Sequence, residues 1–245
     1  MTRLQRQVIT GFLALVAVAQ VALAQEALTA KLDKSGMIRV SRGGVELAMI
    51  ELNAHGTGWQ HAPQNTATAT VVDLPGGGGK RFTGALPIPN AGGGALKFVE
   101  TVKVVPQGLR LEYDVAVGQA MKLNGLHFSV LLPVGVYAGK LIEIARPEGE
   151  PSGVSLPGGE VDKAFYEWSG EGYKVEVAKG TAEAVTVEVI AAADLNVQDL
   201  RQWNKEVFEV RFPAIAEEGA EVTSEDRFHF EVTVGFAGTV KLEGP

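Results

Sequence analysis

The sequence predicts an all-β fold, a large antiparallel β-sandwich. Apolar and polar residues alternate with period two through most of the chain, and turn-forming clusters punctuate the alternating runs. No segment after residue 25 carries a convincing amphipathic helix. Counting runs bounded by turn signals gives roughly a dozen or more strands.

The first segment lies outside this pattern. Arg3 and Arg6 give a positive start, Val8 to Leu23 is mostly apolar, and Ala22 and Ala24 place small residues before Gln25. Residues 1–24 are therefore expected to be a secretory signal peptide, with 25–245 as a single β-sandwich domain in the periplasm or outside the cell. The apolar run is short for a membrane anchor. With no cysteine in the chain, lipid attachment through a cysteine and any disulfide are excluded. Cleavage removes two of 22 Lys+Arg, leaving 20 against 29 Asp+Glu. An acidic chain without a basic cluster is not expected to bind nucleic acid, or to insert in a membrane once the signal is gone.

Along the mature chain, DKSG (33–36) and RGG (42–44) read as turns. NAHGTGWQHAPQN (53–65) reads as a polar loop holding two histidines and a tryptophan. LPGGGGKRF and LPIPNAGGGALKF (74–98) put glycine-rich connections around one short strand. GGGGK is followed by no Ser/Thr and no helix, so a flexible hairpin is expected and a phosphate loop is not. In LRLEYDVAV, Leu109, Leu111, Tyr113, Val115 and Val117 oppose Arg110, Glu112 and Asp114. NGLHFSVLLP sets His127 opposite the face of Leu126, Phe128 and Val130, a position that suits either a ligand or a histidine packed under a loop.

Residues 146–160 read as a long loop, AFYEW as a strand ended by Trp168, and SGEG (169–172) as a turn. YKVEVA and AVTVEVI then alternate through Tyr173, Val175, Val177 and Val185, Val187, Val189. In DLNVQDLRQWNKEVFEVRF (194–212), LNVQDLRQW allows at most one short helical turn. Phe208, Val210 and Phe212 then alternate with Val207, Glu209 and Arg211. Asp199 and Arg201 would point the same way in an extended segment, so a pairing is not assumed. In a tight turn each could instead bond backbone groups, with Arg201 the stronger clamp through its five donors. An architectural lock is favoured for QDLRQW over sugar contact. AEEG (216–219) is a turn, and RFHFEVTVGF closes the pattern with Phe228, Phe230, Val232 and Val234 on one face.

No cofactor or metal is expected. His55 and His61 are six residues apart, a spacing that fits no standard zinc pattern, although Glu51 could join them. There is no GxSxG elbow, and abundant acids alone do not indicate a glycosidase pair. The tryptophans say more. Trp59 and Trp203 fall in polar segments, where an aromatic face can stack on a sugar ring or plug an end of the sandwich. The candidate ligand-binding residues are His55, Trp59, Gln60 and His61 on one segment and Asp199, Arg201 and Trp203 on another.

The runs ALKFVETVKVVPQGLRLEYDVAV, NGLHFSVLLPVGVYAGK and VQDLRQWNKEVFEVRF resemble the β-sandwich domains attached to bacterial glycoside hydrolases. Those domains share the galactose mutarotase-like "supersandwich" architecture, and the resemblance covers most of 27–243. It implies an accessory, sugar-recognising module, usually beside a catalytic barrel for which this chain has no room. Mutarotases of this fold use a histidine acid and a glutamate base; that signature is not matched here, so the activity is not carried to His55 or His127. The expected function is secreted, non-catalytic binding of a poly- or oligosaccharide. The alternatives are a sugar-active enzyme, with histidine and carboxylate converging in one groove, and an oligomeric cell-envelope assembly protein.

Overall fold

The computed structural model describes residues 27–161 and 166–245. The expected signal segment, 1–24, lies outside the described residues. The strands begin with β1 (Leu28–Leu32), β2 (Ile38–Arg42), β3 (Val45–Gly56), β4 (Gln60–Pro63), β5 (Thr68–Asp73) and β6 (Gly79–Pro87). They continue with β7 (Ala95–Val105), β8 (Gly108–Val117) and β9 (Met121–Pro133), followed by one helical turn, α1 (Val134–Tyr137). After it come β10 (Leu141–Ala145), β11 (Ser152–Ser155), β12 (Trp168–Val177) and β13 (Val185–Asp199). The last are β14 (Val207–Ile215), β15 (Ala220–Val222), β16 (Arg227–Phe236) and β17 (Val240–Glu243). The fold is all-β and sandwich-like, as the alternation predicts.

One sheet curls back on itself. A first layer runs β17–β1–β2–β3–β9–β14–β13 and a second runs β5–β6–β7–β8–β16–β13. Only the β1–β17 pair is parallel among the described strands. β13 belongs to both layers: Val185–Val189 pairs with β16, whereas Asn196–Asp199 pairs with β14. β12 follows both halves of β13, and β10 and β11 extend that edge. The core lies between the layers, where the Tyr113 ring of β8 meets the Phe128 ring of β9 at 6.0 Å. The alternating residues Leu109, Leu111, Tyr113, Val115 and Val117 are all buried there.

A polar link crosses this core. Tyr113 Oη lies 2.8 Å from Glu100 Oε1 and 3.2 Å from Gln64 Oε1. Gln64 Nε2 donates to Glu100 Oε2 and to the Ser35 carbonyl, while Gln64 Oε1 also accepts from the Leu52 amide. Tyr113 has one proton for two oxygens. The network closes only if Glu100 is protonated and donates to Tyr113 Oη, which then donates to Gln64. Burial pushes the Glu100 carboxyl up to about 8, against smaller opposing contributions from its Tyr113 and Gln64 hydrogen bonds, so it is neutral at pH 7.

Several local expectations are corrected. The segment 53–65 is a hairpin, with Asn53–Gly56 in β3 and Gln60–Pro63 in β4 around a 3-10 turn at Thr57–Trp59. SGEG lies within β12, which Trp168 opens. A bulge between Gly172 and Lys174 shifts the parity, so Tyr173 is 38% exposed while Val175 and Val177 are buried. The 146–160 loop contains a strand, β11, paired with β10. The GGGGK run is a hairpin connection in which Gly76, Gly77 and Gly78 all have positive φ, which explains the glycine run.

Candidate functional site

Four adjacent strands of the first layer carry the candidate site on the face away from the core. Their inward rungs are apolar: Ile50, Val130, Val210 and Val197 align, as do Leu52, Phe128 and Phe212. The alternate residues are mostly polar. Glu51, Ser129, Arg211 and Asn196 share one rung; Asn53 and His127 share another; Leu131, Glu209 and Gln198 share a third. A two-residue period thus places core on one side and chemistry on the other.

The β3–β4 hairpin raises one wall. Its register puts His55 directly opposite His61, which is how histidines six apart in sequence become neighbours. Gly125 faces His55 on β9, where a Cβ would come within 3.2 Å of His55 Nδ1. The His55 ring lies 5.3 Å from His61, 5.4 Å from His127 in a stacked arrangement, and 5.8 Å edge-on from Trp59. Trp59 holds φ 57, a left-handed conformation that is costly for a bulky residue and often marks a functional turn.

The opposite wall follows β13. There the chain enters a 3-10 turn at Leu200–Trp203, closed by Asn204 in the left-handed conformation with φ 59. Glu51, Asn53, His55, His61, His127, Glu209, Arg211 and Lys205 line a cavity of about 480 Å³, with Leu131, Gln198, Leu200, Trp59 and Trp203. Trp59 and Trp203 are each 47% exposed, so they stand where the cavity meets solvent.

Glu209 is 2% exposed and anchored on both oxygens. Arg211 donates to Oε2 from Nε at 3.1 Å and Nη2 at 2.7 Å, and Ser129 Oγ donates to Oε1 at 2.5 Å. His127 Nε2 is 3.5 Å from Oε1, beyond a good hydrogen bond. Burial alone would raise this carboxyl, but the Arg211 charge, with His127 and Ser129, holds it well below the usual carboxylate range. Burial pushes Glu51 the other way, upward, although Asn53 Nδ2 donates to it at 3.1 Å.

All three site histidines are neutral at pH 7. Burial, with the neighbouring imidazoles, brings His55 down to about 3; burial and Lys205 bring His61 down to about 4; burial and Arg211 lower His127. His61 Nε2 donates to Asn53 Oδ1 at 2.8 Å, leaving Nδ1 to accept from Lys205 Nζ at 3.4 Å. The result is a polar floor in which neutral imidazoles and Asn53 surround the Glu209–Arg211 ion pair, with Glu51 and Lys205 also on the lining. Among the described residues, no group of three His, Asp or Glu side chains is arranged to hold a metal.

The structure brings His55, Trp59, His61 and Trp203 into one cavity. Gln60 is exposed and outside that lining, its Nε2 3.5 Å from the Gly58 carbonyl. Asp199 and Arg201 also lie outside it, and in the turn they pair with each other. The chain turns after Asp199, whose Oδ1 caps the Arg201 amide at 3.0 Å while Arg201 Nη2 reaches Oδ2 at 2.6 Å. Arg201 also donates to the Pro157 and Gly159 carbonyls at 3.1 and 2.9 Å, bolting loop 157–159 to the wall that carries Trp203. Glu51, Asn53, Glu209, Arg211 and Lys205 are outside the sequence-based set; the signal for the first four is the polar half of the alternation in IELNAHG and FEVRF, whereas Lys205 carries none.

A galactose mutarotase-like protein from Lactobacillus casei ATCC 334 superimposes with a TM-score of 0.54 at 12% identity, covering 84% of this chain and 96% of that one. The fold is galactose mutarotase-like. A galactose mutarotase related enzyme from Lactobacillus acidophilus aligns at a TM-score of 0.46 and 10% identity, over 86% of this chain and 94% of its own. A 4-alpha-glucanotransferase from Thermococcus litoralis aligns at 0.45 and 9% identity, over 76% of this chain but 27% of its own. No protein-family model and no curated protein sequence matches the chain. The galactose mutarotase-like sandwich thus carries a site defined by its own side chains.

Proposed function

We propose that the protein is an exported, non-catalytic carbohydrate-binding β-sandwich whose cavity holds part of an oligo- or polysaccharide. The observation that carries this is two half-exposed tryptophans opening onto a floor of hydrogen-bonding side chains. The C–H face of a sugar packs on an aromatic ring, and its hydroxyls take hydrogen bonds from the floor. Proton transfer is poorly served. His55 and His61 titrate far below neutrality, and the Glu209 carboxylate is committed to Arg211 and Ser129. In a glycan array probed with the mature protein, one glycan class is expected to be retained. Trp59→Ala and Trp203→Ala should each weaken retention roughly 10–100-fold. Retention unchanged in both variants, or on no glycan at all, would overturn the assignment.

A sugar-active enzyme on the same fold is favoured by one observation, the convergence of His127, Glu209 and Glu51 on a single cavity. Polarimetry separates the two. Binding alone leaves anomer interconversion at the buffer rate, whereas catalysis accelerates it and Glu209→Gln abolishes the gain. Export is a further part of the proposal, supported by the Arg3/Arg6 start, the apolar run and Ala22-Leu23-Ala24. Amino-terminal sequencing of protein expressed in a Gram-negative host should begin at Gln25; an intact Met1 start on exported protein would contradict cleavage.

A further inference from the structure

The carbohydrate reading leaves open what kind of sugar fits, and the charges in the cavity bear on that. The Glu209–Arg211 pair balances its own charge, with Arg211 Nε and Nη2 on one carboxylate oxygen and Ser129 Oγ on the other. Asn53 is committed as well, through Oδ1 to His61 and Nδ2 to Glu51. The three imidazoles carry no charge at neutral pH. Burial pushes Glu51 upward, while its Asn53 hydrogen bond and the Lys205 charge act the other way. Lys205 is the lining cation left outside an ion pair among the described residues.

Among the described residues, Lys205 has no carboxylate within ion-pair distance, and its one side-chain hydrogen bond is to His61 Nδ1 at 3.4 Å. Its backbone is fixed on both sides. The Lys205 amide bonds the Leu200 carbonyl at 3.2 Å and its carbonyl accepts from Val207 at 2.8 Å, just after the left-handed turn at Asn204. The side chain therefore starts from a set position on the β13 wall and reaches the hairpin wall opposite. A cation with no carboxylate in ion-pair contact thus lines the cavity of a chain whose formal net charge is −7. Such a chain repels anions over most of its surface, so a local cation confers selectivity for an acidic ligand.

The geometry points to an acidic sugar, a ring bearing a carboxylate or phosphate group that pairs with Lys205 Nζ while the ring stacks at Trp59 and Trp203. This inference rests on the sugar-binding reading above. Its test is calorimetric titration of the full chain with matched pairs: glucuronate against glucose, galacturonate against galactose, and galactose 6-phosphate against galactose. In at least one pair the acidic member should bind roughly 5–10-fold more tightly at low salt. The advantage should shrink at high salt and vanish in Lys205→Met. The uronate and phosphate arms tell which acidic group is read. Equal affinity within every pair, or an acidic preference that survives in Lys205→Met, overturns the inference while leaving sugar binding in place. Binding of no sugar in any arm overturns the sugar-binding reading and this inference with it.

Discussion

Replacing Arg211 with methionine should cost about 3–5 kcal/mol of folding stability at pH 7, read as a large fall in denaturant midpoint. The cost comes less from the lost contacts than from what remains. Glu209 would keep its burial and lose the guanidinium that compensates it. The sign of the pH dependence identifies the cause. In the native protein Glu209 is held below its unfolded value, so its contribution is present above the ordinary carboxylate range and is lost as pH falls. In Arg211→Met the buried carboxyl is instead pushed up, so the variant is penalised above that range and relieved below it. The gap between the two proteins should therefore narrow as pH drops toward 4. Adding Glu209→Gln should recover most of the loss at pH 7, because no buried charge is then stranded. A cost under 1 kcal/mol, or a gap constant from pH 7 to 4, would contradict this description of the ion pair.

Glu100→Gln should have the opposite sign. Folded Glu100 holds its proton up to about pH 8, against an ordinary value of 4.5. The folded state therefore binds more protons than the unfolded chain across that window. Stability from this group is complete below 4.5 and falls as pH rises, by about 1.4 kcal/mol per unit until the folded value is reached. Glutamine reproduces the protonated form: its amide donates to Tyr113 Oη, and its oxygen accepts from Gln64 Nε2. The variant should match the native protein near pH 4 and exceed it by roughly 3–5 kcal/mol near pH 8. Parallel pH profiles, or a variant weaker at pH 8, would refute the neutral carboxyl. The acid limb has a separate origin. His55 and His61 are depressed, so their contribution fades as pH falls from 6.5 toward their folded values of about 3 and 4.

The strands are legible in the sequence because period-two alternation survives wherever one face is buried, as in LRLEYDVAV and the inward rung of Phe208, Val210 and Phe212. Alternation fails where local geometry shifts the parity, at the Gly172/Lys174 bulge, and where polar composition imitates a loop. Asn53 to Asn65 looks like a loop because its outward residues serve the cavity rather than solvent, so a buried polar face reads as an exposed one. The histidine pair is visible, but its meaning depends on hairpin register, which places His55 against His61. Glu209 and Arg211 look like an ordinary solvated strand face. Only the pairing of β14 between β9 and β13 reveals that this face is enclosed. The Asp199–Arg201 contact escapes the sequence because it depends on the chain leaving β13 for a 3-10 turn, a change of backbone that spacing alone does not give.

The central claim is that the cavity between the β3–β4 hairpin and the Leu200–Trp203 turn is a sugar site. A crystal structure of the mature protein soaked with mixed neutral and acidic oligosaccharides tests it most directly. The predicted result is a sugar ring packed against Trp59 or Trp203, with its hydroxyls over His55, His127 and Glu51. A sugar ordered elsewhere on the sandwich while this cavity holds only solvent would contradict it.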